Sequence, residues 1–308
     1  MILRRKVYDK LLQWKNESNG RKAILIEGAR RIGKSTIAEE FAKNEYESYI
    51  LIDFAKKDIE VESYFNKYLN DLDTLFMLLQ AHFGVHLKRR KSVIIFDEVQ
   101  MFPQARAAIK YLVLDGRYDY IETGSLISIK ENVKNIVIPS EERHLSMYPL
   151  DFEEFCYALN EEIIIDYIKT CFRERKPLEE SLHKKAMLLF KQYMLVGGMP
   201  MPVIKYIEND KSFFEADKEK RDILLGILRN DDDMPAFDEY NQGSYSMHLG
   251  VEPLDKEYDI DVGLRFHVNR DDYEPMDLKE KIRDLLKNHT EYGAKIKKPC
   301  VTVTYKKD

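Results

Sequence analysis

Gly28-Ala-Arg-Arg-Ile-Gly33-Lys34-Ser35 is the stretch on which the fold turns. Its spacing is G-x-x-x-x-G-K-[ST], the pattern of a loop that cradles phosphates. A triphosphate needs many donors at close range, and backbone N–H groups supply them. Gly28 and Gly33 allow the main chain to curl without a Cβ clash. A helix starting near Lys34 points its positive end at the anion. Lys34 adds a mobile point charge, and the Ser35 hydroxyl is suited to ligate Mg²⁺. The candidate contacts to ATP are therefore Gly28, Ala29, Arg30, Arg31, Ile32, Gly33, Lys34, Ser35 and Thr36.

The flanking sequence agrees with that loop. Ala23–Glu27 is a short apolar run, read as a buried strand, and Ser35–Lys43 has helical spacing. Tyr49–Phe54 reads as a second strand, Leu72–Phe83 as a helix and Ser92–Asp97 as a third strand, apolar enough to be covered on both faces. Tyr118–Glu122 and Asn135–Ile138 are candidates for a fourth and fifth strand. Strands alternating with helices predict an α/β fold with a parallel sheet and right-handed crossovers. Asp97 ends its strand at the edge where such sheets bind ligands. It is the candidate for holding the Mg²⁺ shell, and Glu98 for polarising the attacking water. The extra strand at Tyr49–Phe54 predicts that Asp97's strand does not sit directly beside the loop strand.

Composition sets the outer bounds. The 308 residues suffice for two domains, and 44% hydrophobic content supports a packed core. A charged fraction of 33% and a net charge of −5 argue against a generic polyanion binder, so nucleic acid is not indicated as a partner. Arg4-Arg5-Lys6 and Lys88-Arg89-Arg90-Lys91 are basic spots, read as solvated or anion-facing edges. No apolar run of ~18 residues predicts a membrane span. The scattered Cys156, Cys171 and Cys300 form no disulfide framework, so a cytoplasmic protein is expected. His82 and His86 could share one helical face but lack further metal ligands at suitable spacing.

Beyond Asp151 the pattern becomes helical, over Phe152–Leu159, Ile163–Arg173, Glu180–Met194 and Phe213–Leu228, with a turn at Gly197–Pro200. Asn230-Asp231-Asp232-Asp233 and Pro235 mark a boundary. After it come strands at Tyr258–Phe266 and Cys300–Tyr305 around a helix at Leu278–Lys287. Three regions are expected: an ATPase domain over 1–150, its helical region over 151–229, and a small α+β region over 230–308.

The segments EGARRIGKST, IIFDEVQ, ETGSLISI, MYPLDFEEF and YMLVGGMP resemble the AAA+-type ATP-binding proteins of bacteria and archaea, over about residues 1–229. The resemblance implies an additional-strand P-loop NTPase fold. It also implies a polar sensor of the γ-phosphate at Thr123 or Ser125, and a family arginine at Arg143 that either contacts nucleotide or makes a structural ion pair. The restriction-endonuclease-like domain that usually follows does not appear after the helical region. AAA+ relatives often form rings, so a homo-oligomer and an unknown protein partner are both open; Arg106, Arg117 and Arg143 are the candidate trans-acting arginines.

A second constellation lies further on. Gln242-Gly243-Ser244-Tyr245 is followed by Tyr258-Asp259-Ile260-Asp261, and strand alternation puts Asp259 and Asp261 on one face as candidate metal ligands. The Gly-Ser turn is suited to donate to a triphosphate. QGSYSMHLGVEPLDKEYDIDVGLRF resembles the bacterial oligonucleotide cyclases of the polymerase-β-type nucleotidyltransferase superfamily, which make cyclic nucleotide signals in antiphage defence. The superfamily's third carboxylate on a later strand is missing, so an inactive nucleotidyltransferase-like fragment is expected. Three readings follow: an ATPase driving a conformational switch, a nucleotidyltransferase regulated by the P-loop domain, or a non-hydrolysing nucleotide-binding scaffold.

Overall fold

The structure is a computed structural model that describes residues 1–125, 141–231, 233–241, 262–268, 274–287, 289, 293–297 and 300–303. The chain divides into two compact units, 2–149 and 150–308 with Met1.

In the first unit, α1 (Val7–Ser18) precedes β1 (Ala23–Gly28), α2 (Lys34–Glu45) and β2 (Ser48–Asp53). Then come α3 (Ile59–Tyr68), α4 (Leu72–Phe83), β3 (Ser92–Asp97), α5 (Pro103–Asp115), β4 (Asp119–Ser125) and β5 (Glu142–Ser146). The five strands form one parallel sheet in the order β2-β3-β4-β1-β5. Asp97's strand is thus separated from the loop strand, as expected, but the strand between them is β4. The stretch 48–53 lies outside β3 at the sheet's far edge.

Alternation along the strands fills two cores. Leu25, Ile94, Phe96 and Tyr120 point to one face, where they meet Phe54, Phe65, Phe76, Ile109 and Leu112. Ile24, Ile26, Val93, Ile95 and Ile121 point to the other, against Leu11, Trp14, Ile37 and Phe41. Each such side chain contributes roughly 1.5–3 kcal/mol on full burial. Covered on both faces, β1 and β3 read as unbroken apolar runs. The predicted strand at Asn135–Ile138 lies outside the described residues. The edge strand beside β1 is Glu142–Ser146, whose polar sequence gave no such signal.

In the second unit, α6 (Phe152–Ala158) opens with a capping box. The Asp151 carboxylate accepts from the Glu154 N–H at 2.8 Å, and Glu154 accepts from the Asp151 N–H at 3.2 Å. Next are α7 (Glu162–Glu174), α8 (Glu180–Val196), α9 (Pro200–Glu208) and α10 (Phe213–Arg229). Cys156, Ile164, Ile165, Ala186 and Leu189 pack together, and burial pushes the Cys156 thiol up to about 12. Gly198 lies so close to Leu150 that a Cβ there would come within 2.2 Å of the Leu150 carbonyl oxygen. The expected turn at Gly197–Pro200 therefore also seats the helix that starts at Pro200.

Two small antiparallel pairs follow: β6 (Phe237–Asn241) with β7 (Val262–Phe266), and β8 (Ala294–Ile296) with β9 (Val301–Val303). The helix α11 (Pro275–Leu286) lies between the pairs in sequence. Asp259, Asp261 and the Gln242–Tyr245 segment lie outside the described residues. Among the described residues no single helix is long and apolar enough to cross a membrane.

Candidate nucleotide-binding site

The loop between β1 and α2 is shaped by its neighbours as well as by its glycines. Arg31 (φ +62°) and Gly33 (φ +90°) hold left-handed backbone that folds the loop over the start of α2. Such alternation turns successive N–H groups toward one concavity, an anion-binding nest. Gly28 cannot carry a side chain, because a Cβ would sit 2.3 Å from the Met147 carbonyl oxygen. From beneath, the buried Arg5 guanidinium donates to the Ile32 carbonyl at 3.0 Å and to the Tyr148 carbonyl at 2.6 Å. Arg5 belongs to a basic spot that the sequence reads as a solvated or anion-facing edge. Nothing local distinguishes it from Arg4, and only the fold brings loop and β5 exit to its reach.

Lys34 begins α2 and is buried. Its ammonium donates to the carbonyls of Ala29 at 2.7 Å and Gly28 at 3.2 Å. Burial lowers its pKa; the carboxylates of Glu98 and Asp97 oppose this, and Arg30 adds to it. A desolvated cation of this kind gains strongly from an anion placed on it.

Ser35 and Asp97 are 62 residues apart in the chain, and the Ser35 hydroxyl donates to Asp97 Oδ1 at 2.6 Å. The Thr123 hydroxyl donates to the same oxygen and also accepts the Glu98 N–H at 3.3 Å. A continuous chain of hydrogen bonds thus links Ser35 on α2, Asp97 on β3, Thr123 on β4 and Glu98. With its proton committed to Asp97, the Ser35 oxygen keeps its lone pairs for a cation. The donor set is hard oxygen, as Mg²⁺ requires. Ser125 ends β4, paired in register with Gly28.

The three candidate arginines are engaged elsewhere. Arg143 pairs in register with Ile24, four residues before Gly28, and makes an ion pair with Glu17 at 2.9 Å. That places it toward the other end of β1 from the loop, and of its two expected roles the structural ion pair is the one observed. Arg106 is buried against Glu142 at 3.0 Å, which removes it as a trans-acting candidate. Arg117 holds Asp73 at 2.5 Å and Asp115 at 2.7 Å. A cleft of about 450 Å³ runs along β5, lined by Lys10, Gln13, Arg143 and His144 among others. His144 there pairs with Glu142 at 2.8 Å and Glu27 at 3.2 Å.

Glu122 is fully buried on β4, beside Glu142 and Arg106. Burial raises its pKa far above 4.5, the nearby Glu142 charge raises it further, and Arg106 opposes both. The folded chain therefore keeps a proton that the unfolded chain releases above pH ~4.5, and stability falls as pH rises through that window. Glu122→Gln removes the cost of holding that proton. We expect it to raise the melting temperature at neutral pH and to flatten the loss of stability as pH rises above about 4.5. Parallel melting curves for variant and wild type across that range would refute the assignment.

Two family models match the chain. Residues 20–156 match the AAA domain, and residues 237–308 match the nucleotidyltransferase domain of the cyclic GMP-AMP synthase DncV-like kind. The chain joins an AAA-like P-loop domain to a nucleotidyltransferase-like region. No curated protein matches it. Among solved structures, C. elegans PCH-2 is similar at 12% identity and a TM-score of 0.38, over 71% of this chain and 68% of that one. The Aeropyrum pernix ORC1 protein, solved in complex with DNA, matches at 12% identity and a TM-score of 0.34, over 83% of this chain and 80% of that one. The Thermotoga maritima RuvB Holliday junction branch migration motor matches at 10% identity and a TM-score of 0.33, over 63% of this chain and 75% of that one. The AAA-like match supports an ATPase-like, nucleotide-binding function.

Proposed function

We propose that the chain binds ATP with Mg²⁺ and hydrolyses it, and that turnover drives a conformational switch. The observation that carries this reading is the hydrogen-bonded chain Ser35–Asp97–Thr123–Glu98 beside Lys34. Bound Mg²⁺ supplies charge neutralisation on the phosphate oxygens. Ser35 would ligate it, with Asp97 orienting Ser35 and the metal's shell, while Lys34 would grip the β- and γ-phosphates and the loop N–H groups from Ala29 to Thr36 would surround them. Glu98 accepts a proton from the attacking water, and Thr123 ties Asp97 to Glu98 so that metal shell and base share one frame. Ser125, level with Gly28, is a second polar group for the γ-phosphate side.

Residues 1–150 form the ATPase domain on this reading, 151–229 its helical region, and 230–308 a nucleotidyltransferase-like region. That last region carries Asp259 and Asp261 as its candidate metal ligands. A ring of like subunits or a protein partner receives the switch. The test is phosphate release from ATP with and without Mg²⁺. Release should fall to background with EDTA and return with added Mg²⁺. Tight ATP binding without phosphate release would favour a non-hydrolysing scaffold instead.

A further inference from the structure

Glu98 has an unusual backbone for its residue type. Its φ is +51°, left-handed, a conformation that costs a non-glycine residue on the order of 1 kcal/mol or more. Such backbone persists where its surroundings hold it, and three contacts do so. The Glu98 N–H donates to Thr123 Oγ1 at 3.3 Å. Its carbonyl accepts from the Met101 N–H at 2.9 Å, closing the short 3₁₀ turn Val99–Met101. That turn brings the Gln100 side chain back so that Nε2 donates to Glu98 Oε2.

Gln100 is only 4% exposed, and its Oε1 is buried without a partner. An orphaned buried amide oxygen is costly, so the side chain is not there for the sake of the core. Its orientation is set by chemistry: flipping the amide would press a carbonyl oxygen against a carboxylate oxygen. The amide donor therefore anchors one oxygen of Glu98 and leaves the other to meet water.

We propose that Gln100 is a positioning residue for ATP hydrolysis, clamping the Glu98 carboxylate at the left-handed turn after β3. This rests on the reading of Glu98 as the group that polarises water. Gln100 does not touch nucleotide. It acts by holding the base within the few tenths of an ångström that in-line attack requires, since small misplacements of a catalytic group cost large factors in rate.

Gln100→Met tests this, because methionine matches the length, removes the donor and also removes the orphaned oxygen. The expected result is a 10- to 50-fold fall in kcat, with ATP affinity within threefold of wild type and no loss of melting temperature. Glu98→Gln combined with Gln100→Met should then be no slower than Glu98→Gln alone, because the clamp has nothing left to orient. A kcat for Gln100→Met within twofold of wild type would overturn the clamp, and so would independent, multiplying losses in the double variant. A merely structural Gln100 would instead lower melting temperature and affinity together. Should Glu98→Gln alone turn over ATP like wild type, the assignment of Glu98 fails first and takes the clamp with it.

Discussion

Lys34→Ala should weaken ATP binding by two orders of magnitude or more. The ammonium is buried at the start of α2 and donates to the loop carbonyls of Gly28 and Ala29. Charge-assisted hydrogen bonds contribute about 1.5–3 kcal/mol each, so losing two phosphate contacts amounts to roughly 3–6 kcal/mol. The fold should survive. Burial already disfavours the charged lysine, as its lowered pKa reflects, so removing it relieves a desolvated cation. Isothermal titration with ATP–Mg²⁺, alongside a thermal melt, separates the two effects. Affinity within threefold of wild type would mean that the loop does not grip phosphate through this side chain.

Glu98→Gln should give the opposite pattern: ATP bound as before, with kcat lower by roughly 10²–10³-fold. The amide keeps the shape and can accept a hydrogen bond, yet it takes no proton from water. The left-handed backbone at φ +51° is unchanged by the swap, and so is the N–H bond to Thr123, so the geometry of the site persists. Nucleotide binding and single-turnover phosphate release on the same preparation give the split. Unchanged turnover would remove Glu98 from its role.

The parts of this architecture that were legible in the sequence are those fixed by local rules. β1 and β3 are apolar on both faces and buried from end to end or nearly so, which leaves a strong signal. The loop's glycine spacing and the acidic pair at the end of β3 placed Ser35 and Asp97 at one edge, and their 2.6 Å contact follows from that topology. β5 was not legible. Its residues Glu142-Arg-His-Leu-Ser146 look like surface, because an edge strand pairs its polar side chains with Glu17 and Glu27 instead of burying apolar ones. The pair Arg106–Glu142 is 36 residues apart and fully buried, a long-range arrangement that neither residue announces. Helix α1 did carry a signal, in Val7, Leu11 and Trp14 at helical spacing, all of them buried. Gln100, three residues past Asp97, gave no reading of its own in the sequence beyond its place in IIFDEVQ. Its role depends on Glu98 being left-handed, which a sequence does not display.

The tightness at Gly28 has a bearing on how such motifs are read at all. With the Met147 carbonyl oxygen 2.3 Å from where a methyl would stand, alanine is excluded at this position by the seam between β1 and the exit of β5, before any nucleotide enters the question. The first letter of the loop's signature is therefore dictated twice, once by ligand chemistry and once by the joinery of neighbouring strands. A chain that had lost its appetite for nucleotide would still need that glycine, so its presence alone is a record of carpentry as much as of catalysis.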